Sequence, residues 1–167
     1  MCPGTASLIT IRPLDANDRE PIRTLLEQTG VFTRDEVVVA LELIDFALGN
    51  SGQQDYTIYT AVDDRDEVAG YYCIGPTPLT ESTYDLYWIA VNPAVHNSGF
   101  GKQLLQHAEE VIRSRGGRLV VAETSSQPKY DNTRRFYVRN AYLEVACIKN
   151  YYKPGDDLVV YGKYLSQ

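Results

Sequence analysis

Apolar and polar residues alternate from Leu8 to Arg12, and Pro13 stops the run, as the end of a first strand would. The period then changes. Ile22, Leu25 and Leu26 recur at helical spacing between Asp15 and Gln28, with Asp15 or Asp18 as the cap, Pro21 tolerable only in the first turn and Gly30 closing the element. Thr33 and Glu36 have capping-box spacing and open a second helix with Val37, Leu41, Ile44 and Leu48 on one face, ending at Gly49 and Asn50. Tyrosine and β-branched residues over 56–62 and 67–75 predict a hairpin about the charged turn Asp63 to Asp66, and the stretch Gly75 to Pro78 breaks the sheet.

Tyr84 to Val91 is a near-continuous apolar run of buried-strand type, closed by Asn92 and Pro93. After Gly99-Phe100-Gly101 comes a helix with Leu104, Leu105, Ala108, Val111 and Ile112 on one face, ended by Gly116 and Gly117. A further strand over Arg118 to Glu123 completes a βαβ unit, so the two strands are expected to lie parallel. Asp131 or Asn132 can cap a short helix through Asn140. Tyr142 to Ile148 and Leu158 to Tyr164 then read as a closing strand pair around a loop from Asn150 to Asp157. The order β-α-α-β-β-β-α-β-α-β-β predicts one domain of the α/β or α+β class, with a mixed, mostly antiparallel sheet.

Composition removes several classes of function. A chain of 167 residues with 44% hydrophobic and 23% charged residues is ordinary globular material for a single domain. No run approaches the roughly 18 apolar residues of a membrane helix. The stretch Met1 to Ser7 has neither a basic nor an apolar leader region, so the cytoplasm is the expected compartment and no membrane partner is expected. Cys2, Cys73 and Cys147 cannot all pair, and none has zinc-ligand spacing, so neither disulfides nor a metal is expected. A net charge of -6 has the wrong sign for nucleic acid. It would favour a cationic substrate, but solubility is the simpler reason for a mildly acidic chain, and charge alone does not choose a ligand.

The segment His96-Asn97-Ser98-Gly99-Phe100-Gly101-Lys102 lies between a buried strand and a helix, where free N–H groups and the positive end of the helix dipole converge. Gly99 and Gly101 are expected to take positive φ and to let an anion approach the backbone closely; the alternative is a plain turn. The spacing matches neither a nucleotide P-loop nor a dinucleotide fingerprint.

It does match Arg/Gln-x-x-Gly-x-Gly/Ala, the pattern that binds the coenzyme A pyrophosphate in the GNAT N-acetyltransferase superfamily, with Gly99 and Gly101 in register. Together with Ile89-Ala90-Val91-Asn92-Pro93 before the loop and Asn132-x-x-x-Phe136-Tyr137 after it, the chain resembles that superfamily over about residues 8–165. The resemblance implies a sheet of about seven strands flanked by about four helices, with a splayed parallel pair admitting the pantetheine arm of acetyl-CoA. It assigns the cofactor to Ile89, Ala90 and Val91 as an added-strand edge, to residues 96–102 at the diphosphate, and to Asn132 and Tyr137. The alternative readings are that Ile89 and Val91 fill the core and that Asn132 caps its helix. His96 stands where the family prefers Arg or Gln, which predicts a pH-sensitive cofactor affinity.

Acetyl transfer to an amine needs a free amine, a stabilised oxyanion and a protonated leaving thiolate. By resemblance Asp85 occupies the position of the proton acceptor, one methylene shorter than the family's glutamate and therefore expected to act through water, with Glu81 and Glu123 in reserve. A backbone N–H near Val91 would meet the oxyanion, and Tyr137 would serve the leaving group. Phe32, Tyr84, Tyr130, Tyr151 and Tyr152 are candidates for the acceptor pocket, or cover for the sheet. The implied activity is transfer from acetyl-CoA to a primary amine, with a small-molecule acceptor such as an amino acid expected, by direct attack in a ternary complex. A protein N-terminus as acceptor, a silent acyl-CoA-binding module and a nucleotide-binding protein are the alternatives, and a homodimer is compatible with all of them.

Overall fold

In the computed structural model, which describes residues 9–95 and 99–166, the predicted order of elements is present. Strand β1 (Thr10–Pro13) is followed by a 3-10 turn (Ala16–Asp18) and then by α1 (Arg19–Gln28). Both expected caps are used: Asp15 caps the 3-10 turn, and Asp18 stands at the N-cap position of α1. Asp15 and Asp18 form their own capping box, and the Asp18 carboxylate is taken up by Arg12 at 2.7 and 2.9 Å and by the Asp15 N–H. Those bonds fix the turn ahead of Pro21, which lies in the first turn of α1 as φ restriction requires. Thr33 and Glu36 form the predicted reciprocal cap of α2 (Arg34–Gly49).

Strands β2 (Thr57–Val62), β3 (Val68–Pro76) and β4 (Thr83–Val91) make an antiparallel meander; α3 (Phe100–Ser114) crosses over to β5 (Leu119–Ser125), and α4 (Asp131–Arg139) precedes the hairpin of β6 (Leu143–Lys153) and β7 (Asp156–Tyr164). The seven strands lie in the order β1-β2-β3-β4-β5-β7-β6, and only β4 and β5 run parallel. Helices α1 and α2 pack on one face against Ile58, Tyr71, Cys73 and Ala90. Helices α3 and α4 cover the other face, with Leu104, Leu105, Ala108, Ile112 and Tyr137 against Tyr72, Ile74, Leu86, Val120, Ala122 and Tyr161.

The closing hairpin is tighter than the expected loop from Asn150 to Asp157. The Asn150 N–H donates to the Asp157 carboxylate, and the Asn150 side-chain oxygen accepts from the Gly155 N–H, so polar side chains hold together a stretch that composition alone marks as irregular. Gly155 turns at φ +81. Asn132 does not cap α4. The cap position is Tyr130, without a side-chain bond, and Asn132 lies within the first turn, exposed.

Candidate active site

The site originates in an irregularity of β4. Cys73 of β3 pairs with Trp88 and Ile74 with Leu86, so Tyr87 is an extra residue bulged out of the ladder. A bulge bends its strand and increases the local twist. Beside this bend β4 and β5 part company, since parallel pairing is confined to Thr83–Leu119, Tyr84–Val120 and Asp85–Val121. Beyond it β4 continues on β3 and β5 continues on β7, leaving a wedge between Leu86–Val91 and Ala122–Ser125. The Asn92 N–H donates to the Ala69 carbonyl at 2.8 Å, and alternate residues of a strand point to the same edge. Ala90 is therefore directed toward β3, and the backbone groups of Ile89 and Val91 toward the wedge. Their side chains meanwhile pack against the α3-side core, so the core-filling and edge roles coexist.

On the α3 and α4 face the wedge is flanked by a helix N-terminus and a tyrosine. Gly99 stands before α3 at φ +84, a backbone conformation that costs L side chains about 1–2 kcal/mol and glycine nothing. No side chain among the described residues caps α3, and its first-turn N–H groups, from Phe100, Gly101 and Lys102, are placed as an anion site would need them. Gly101 differs from expectation: it is helical, without positive φ, and its missing Cβ makes room for Phe136, whose ring would lie 3.3 Å from that atom. Glycine here brings α3 and α4 together. His96, Asn97 and Ser98 lie outside the described residues.

Tyr137 is 4% exposed, stacked on Tyr161 at 5.5 Å and tilted against Tyr142 at 5.4 Å. Its hydroxyl has no hydrogen-bond partner among the described residues, yet it is not one of the sealed, unpartnered polar atoms, which are Thr60 Oγ1, Tyr71 OH and Tyr142 OH. Burial pushes the phenol well above its ordinary value, opposite to the lowering that full proton transfer to a thiolate would favour.

The opposite face carries carboxylates and aromatic rings. Asp85 pairs with Val121, and Glu123 is two residues further along β5, so both side chains leave the sheet on the α1/α2 side. The Thr77 hydroxyl donates to Asp85 at 2.8 Å. Glu123 is raised above the usual glutamate range, first by desolvation and then by the negative charge of Asp85. The bulge brings Tyr87 and Trp88, consecutive in sequence, to this same side. Tyr87 meets Tyr56 edge-on at 5.4 Å, and Trp88 meets Phe32 at 5.2 Å. Burial and the Asp85 charge push Tyr87 up to about 12. Tyr152 is likewise pushed up to about 12 by burial and by Glu123.

Two contacts tie the α1–α2 connection to the segment before α4. The Tyr130 hydroxyl donates to Glu36 at 2.5 Å, and Lys129 Nζ donates to the Val31 carbonyl at 2.8 Å. Phe32, Tyr130 and Tyr152 thus share one side of the sheet with Asp85. Tyr84 does not: it faces α3 in the paired part of β4, where a Cβ on Gly117 would come within 2.9 Å of its ring. Sequence reasoning gave Glu123 only a reserve place and missed Glu36 and Trp88. The capping box at Thr33 was a visible signal for Glu36, but its second partner, Tyr130, is 94 residues away.

The Acetyltransferase (GNAT) family model matches residues 21–142. Among solved structures, a candidate acetyltransferase of the GNAT family from Desulfovibrio desulfuricans is 42% identical with a TM-score of 0.89, covering 95% of this chain and 100% of that one. The ribosomal-protein-S18-alanine N-acetyltransferase of Escherichia coli shares the fold at 19% identity and a TM-score of 0.74, covering 96% of each chain. A GNAT family acetyltransferase from Elizabethkingia anophelis with acetyl-CoA bound shares it at 21% identity and a TM-score of 0.69, covering 94% of this chain and 98% of that one. A cytochrome P450 6B2 of Helicoverpa armigera is 26% identical over 154 residues, and the match spans 89% of this chain but 27% of that protein's length. Because the family pattern extends through most of the residues that build the wedge, and a 42% identical protein has the same fold throughout, this chain belongs to the acetyltransferase (GNAT) family, enzymes that use acetyl-CoA to acetylate amines.

Proposed function

We propose that the chain is an acetyl-CoA-dependent N-acetyltransferase for a primary amine on a small molecule, an amino acid being the simplest case, by direct attack with both substrates bound. The observation that carries this reading is the wedge between β4 and β5, with an uncapped helix and Tyr137 on one face and Asp85 with Glu123 on the other. Acetyl-CoA supplies an acetyl group already activated as a thioester. The α3 N-terminus from Gly99 to Lys102 is suited to its diphosphate, the β4 edge at Ile89 and Val91 to its amides, Ala90 being turned toward β3, and the exposed Asn132 to the far side of the same arm. The outward-directed backbone of this edge also meets the oxygen that gains charge during transfer, with no reorganisation, because β3 already fixes the strand.

An alkylammonium has a pKa of about 10 and must lose a proton before attacking. The Asp85–Glu123 pair receives it. Glu123 is the stronger base, since burial and its neighbour hold its charged form at a disadvantage, while Asp85, tied to Thr77, acts through a water. The aromatic wall of Phe32, Trp88, Tyr130 and Tyr152 favours a cation on the approach. Tyr137 remains a neutral phenol and donates a hydrogen bond to the departing sulfur.

A thiol-release assay over amino acids, polyamines, aminoglycosides and an N-terminal peptide tests the assignment. Turnover with a small amine, reduced at least tenfold by Asp85→Asn combined with Glu123→Gln, supports it. Coenzyme A binding without turnover on any amine identifies a silent module, and turnover on the peptide alone overturns the acceptor class. Thermal protection by ATP where coenzyme A gives none overturns the whole reading.

A further inference from the structure

Lys129 is a cation held among carboxylates without a close ion pair. Its Nζ donates to the Val31 carbonyl at 2.8 Å, stands 4.7 Å from the Tyr130 ring centroid and comes no nearer than 4.0 Å to the Glu36 carboxylate. One of its three N–H donors is used among the described residues, and the side chain is 34% exposed. The site around the ammonium is firmer than the ammonium itself. Tyr130 is buried, and Glu36 is fixed by the Thr33 N–H at 2.6 Å and by the Tyr130 hydroxyl at 2.5 Å. A ring face, a carbonyl and a carboxylate bind any alkylammonium, whichever molecule carries it.

The field around this point is negative. Asp156, 4% exposed, accepts from the Ser125 hydroxyl and the Gln127 side-chain amide and makes no ion pair among the described residues. The Tyr152 phenol is raised first by burial and then by Glu123, Tyr151, Asp156 and Glu36, so it lies in the field of the carboxylate at the reacting end and of the one beside Lys129. The Arg134 guanidinium does not relieve that charge, being taken up by Asp131 and by the Ser125 and Gln127 carbonyls. A carboxylate on the acceptor would enter this field against repulsion, whereas a second ammonium would be drawn into it.

We propose that the Tyr130 face, the Val31 carbonyl and the Glu36 carboxylate form a second cation subsite of the acceptor pocket, that Lys129 fills it until the acceptor arrives, and that the preferred acceptor is a diamine whose far ammonium displaces Lys129. On the acetyl-transfer reading, on which this subsite rests, the near amine lies between Asp85 and Glu123. Its nitrogen forms the amide bond as the carbon–sulfur bond of the thioester breaks, one of its protons passing to the carboxylate pair and one to the departing sulfur. The far ammonium keeps all its protons and serves only to hold and orient the chain. Lys129 thereby sets specificity: it yields to a cation and not to an alkyl tail, which offers nothing to the ring face, carbonyl and carboxylate that it vacates.

Thiol release at saturating acetyl-CoA tests this with the straight-chain diamines from diaminopropane to diaminohexane, the monoamines of equal length, and glycine. The best diamine is expected to exceed its monoamine in kcat/KM by about tenfold or more. Lys129→Met keeps the stem and removes the competing ammonium, so it should raise the diamine-to-monoamine ratio, chiefly through a lower KM for the diamine. Glu36→Gln retains a residue type that serves the capping box, which protects the fold, and should reduce the ratio. Thermal melts check that both variants are folded. Equal turnover of diamines and monoamines, a ratio that survives Glu36→Gln, or one that Lys129→Met fails to raise overturns the subsite and leaves acetyl transfer standing. No turnover on any amine overturns the acetyl-transfer reading and the subsite with it.

Discussion

Replacing Tyr137 by Phe separates catalysis from stability in a way that few buried residues allow. The ring is packed between Tyr161, Tyr142 and Phe136, and the phenylalanine ring keeps all of that contact. The hydroxyl makes no hydrogen bond among the described residues, so its removal breaks no native bond. Burying an unpaired polar group costs about 1–3 kcal/mol. The variant is therefore expected to be as stable as wild type or more stable by up to about 1 kcal/mol, a rise of about 2–4 °C in Tm for a chain of this size. A hydrogen bond to a charged partner contributes about 1.5–3 kcal/mol, so loss of the donor to a developing thiolate should lower kcat by about 10- to 150-fold. KM for acetyl-CoA should stay within about twofold, because the bond forms only as the sulfur departs. Steady-state thiol release and a thermal melt on the same preparation provide both numbers. If kcat stays within twofold, or if Tm falls by several degrees together with activity, Tyr137 is a packing residue and its leaving-group role is wrong.

Glu123 has its carboxyl raised by desolvation and by Asp85, so its contribution to stability is present below the usual glutamate range near pH ~4.3 and is lost as pH rises through the folded value. Glu123→Gln should accordingly not lower Tm at pH 7 and should flatten the rise of Tm on acidification, while lowering kcat/KM; melts from pH 4 to 8 that parallel wild type would refute this. Gly99→Ala places a Cβ in open space at φ +84, so strain alone acts. It should cost about 1–2 kcal/mol in denaturant unfolding and weaken coenzyme A binding by titration calorimetry; unchanged affinity would remove this residue from the diphosphate site.

What the sequence disclosed was mostly local. The Thr33–Glu36 box, Pro21 in a first turn and Gly116 at the end of α3 are decided within a few residues, and each is where spacing placed it. The strand from Tyr84 to Val91 was visible as an apolar run, but a run without alternation hides a bulge, and the extra residue at Tyr87 is what opens the sheet. Gly101 was singled out for backbone freedom, whereas its role depends on Phe136 of another helix. Glu123 ranked behind Asp85 because its perturbation comes from burial in the fold and then from the charge of a residue 38 positions earlier, neither of which a local pattern encodes. Tyr84 and Tyr152 look alike in composition, and only register assigns them to opposite sides.

Among the described residues, β4 and β5 pair at only three positions, with the Arg118 and Leu119 N–H groups donating to the Ser82 carbonyl just ahead of them, so the four-stranded and three-stranded halves of the sheet share a short seam. The core under α3 and α4 spans both halves. An extended arm lying in that gap would act as an eighth strand, and loading the enzyme would then stiffen the whole molecule, with slowed amide exchange far from the reacting atoms. On the proposed reading, the fold leaves its own sheet unfinished for the substrate to complete.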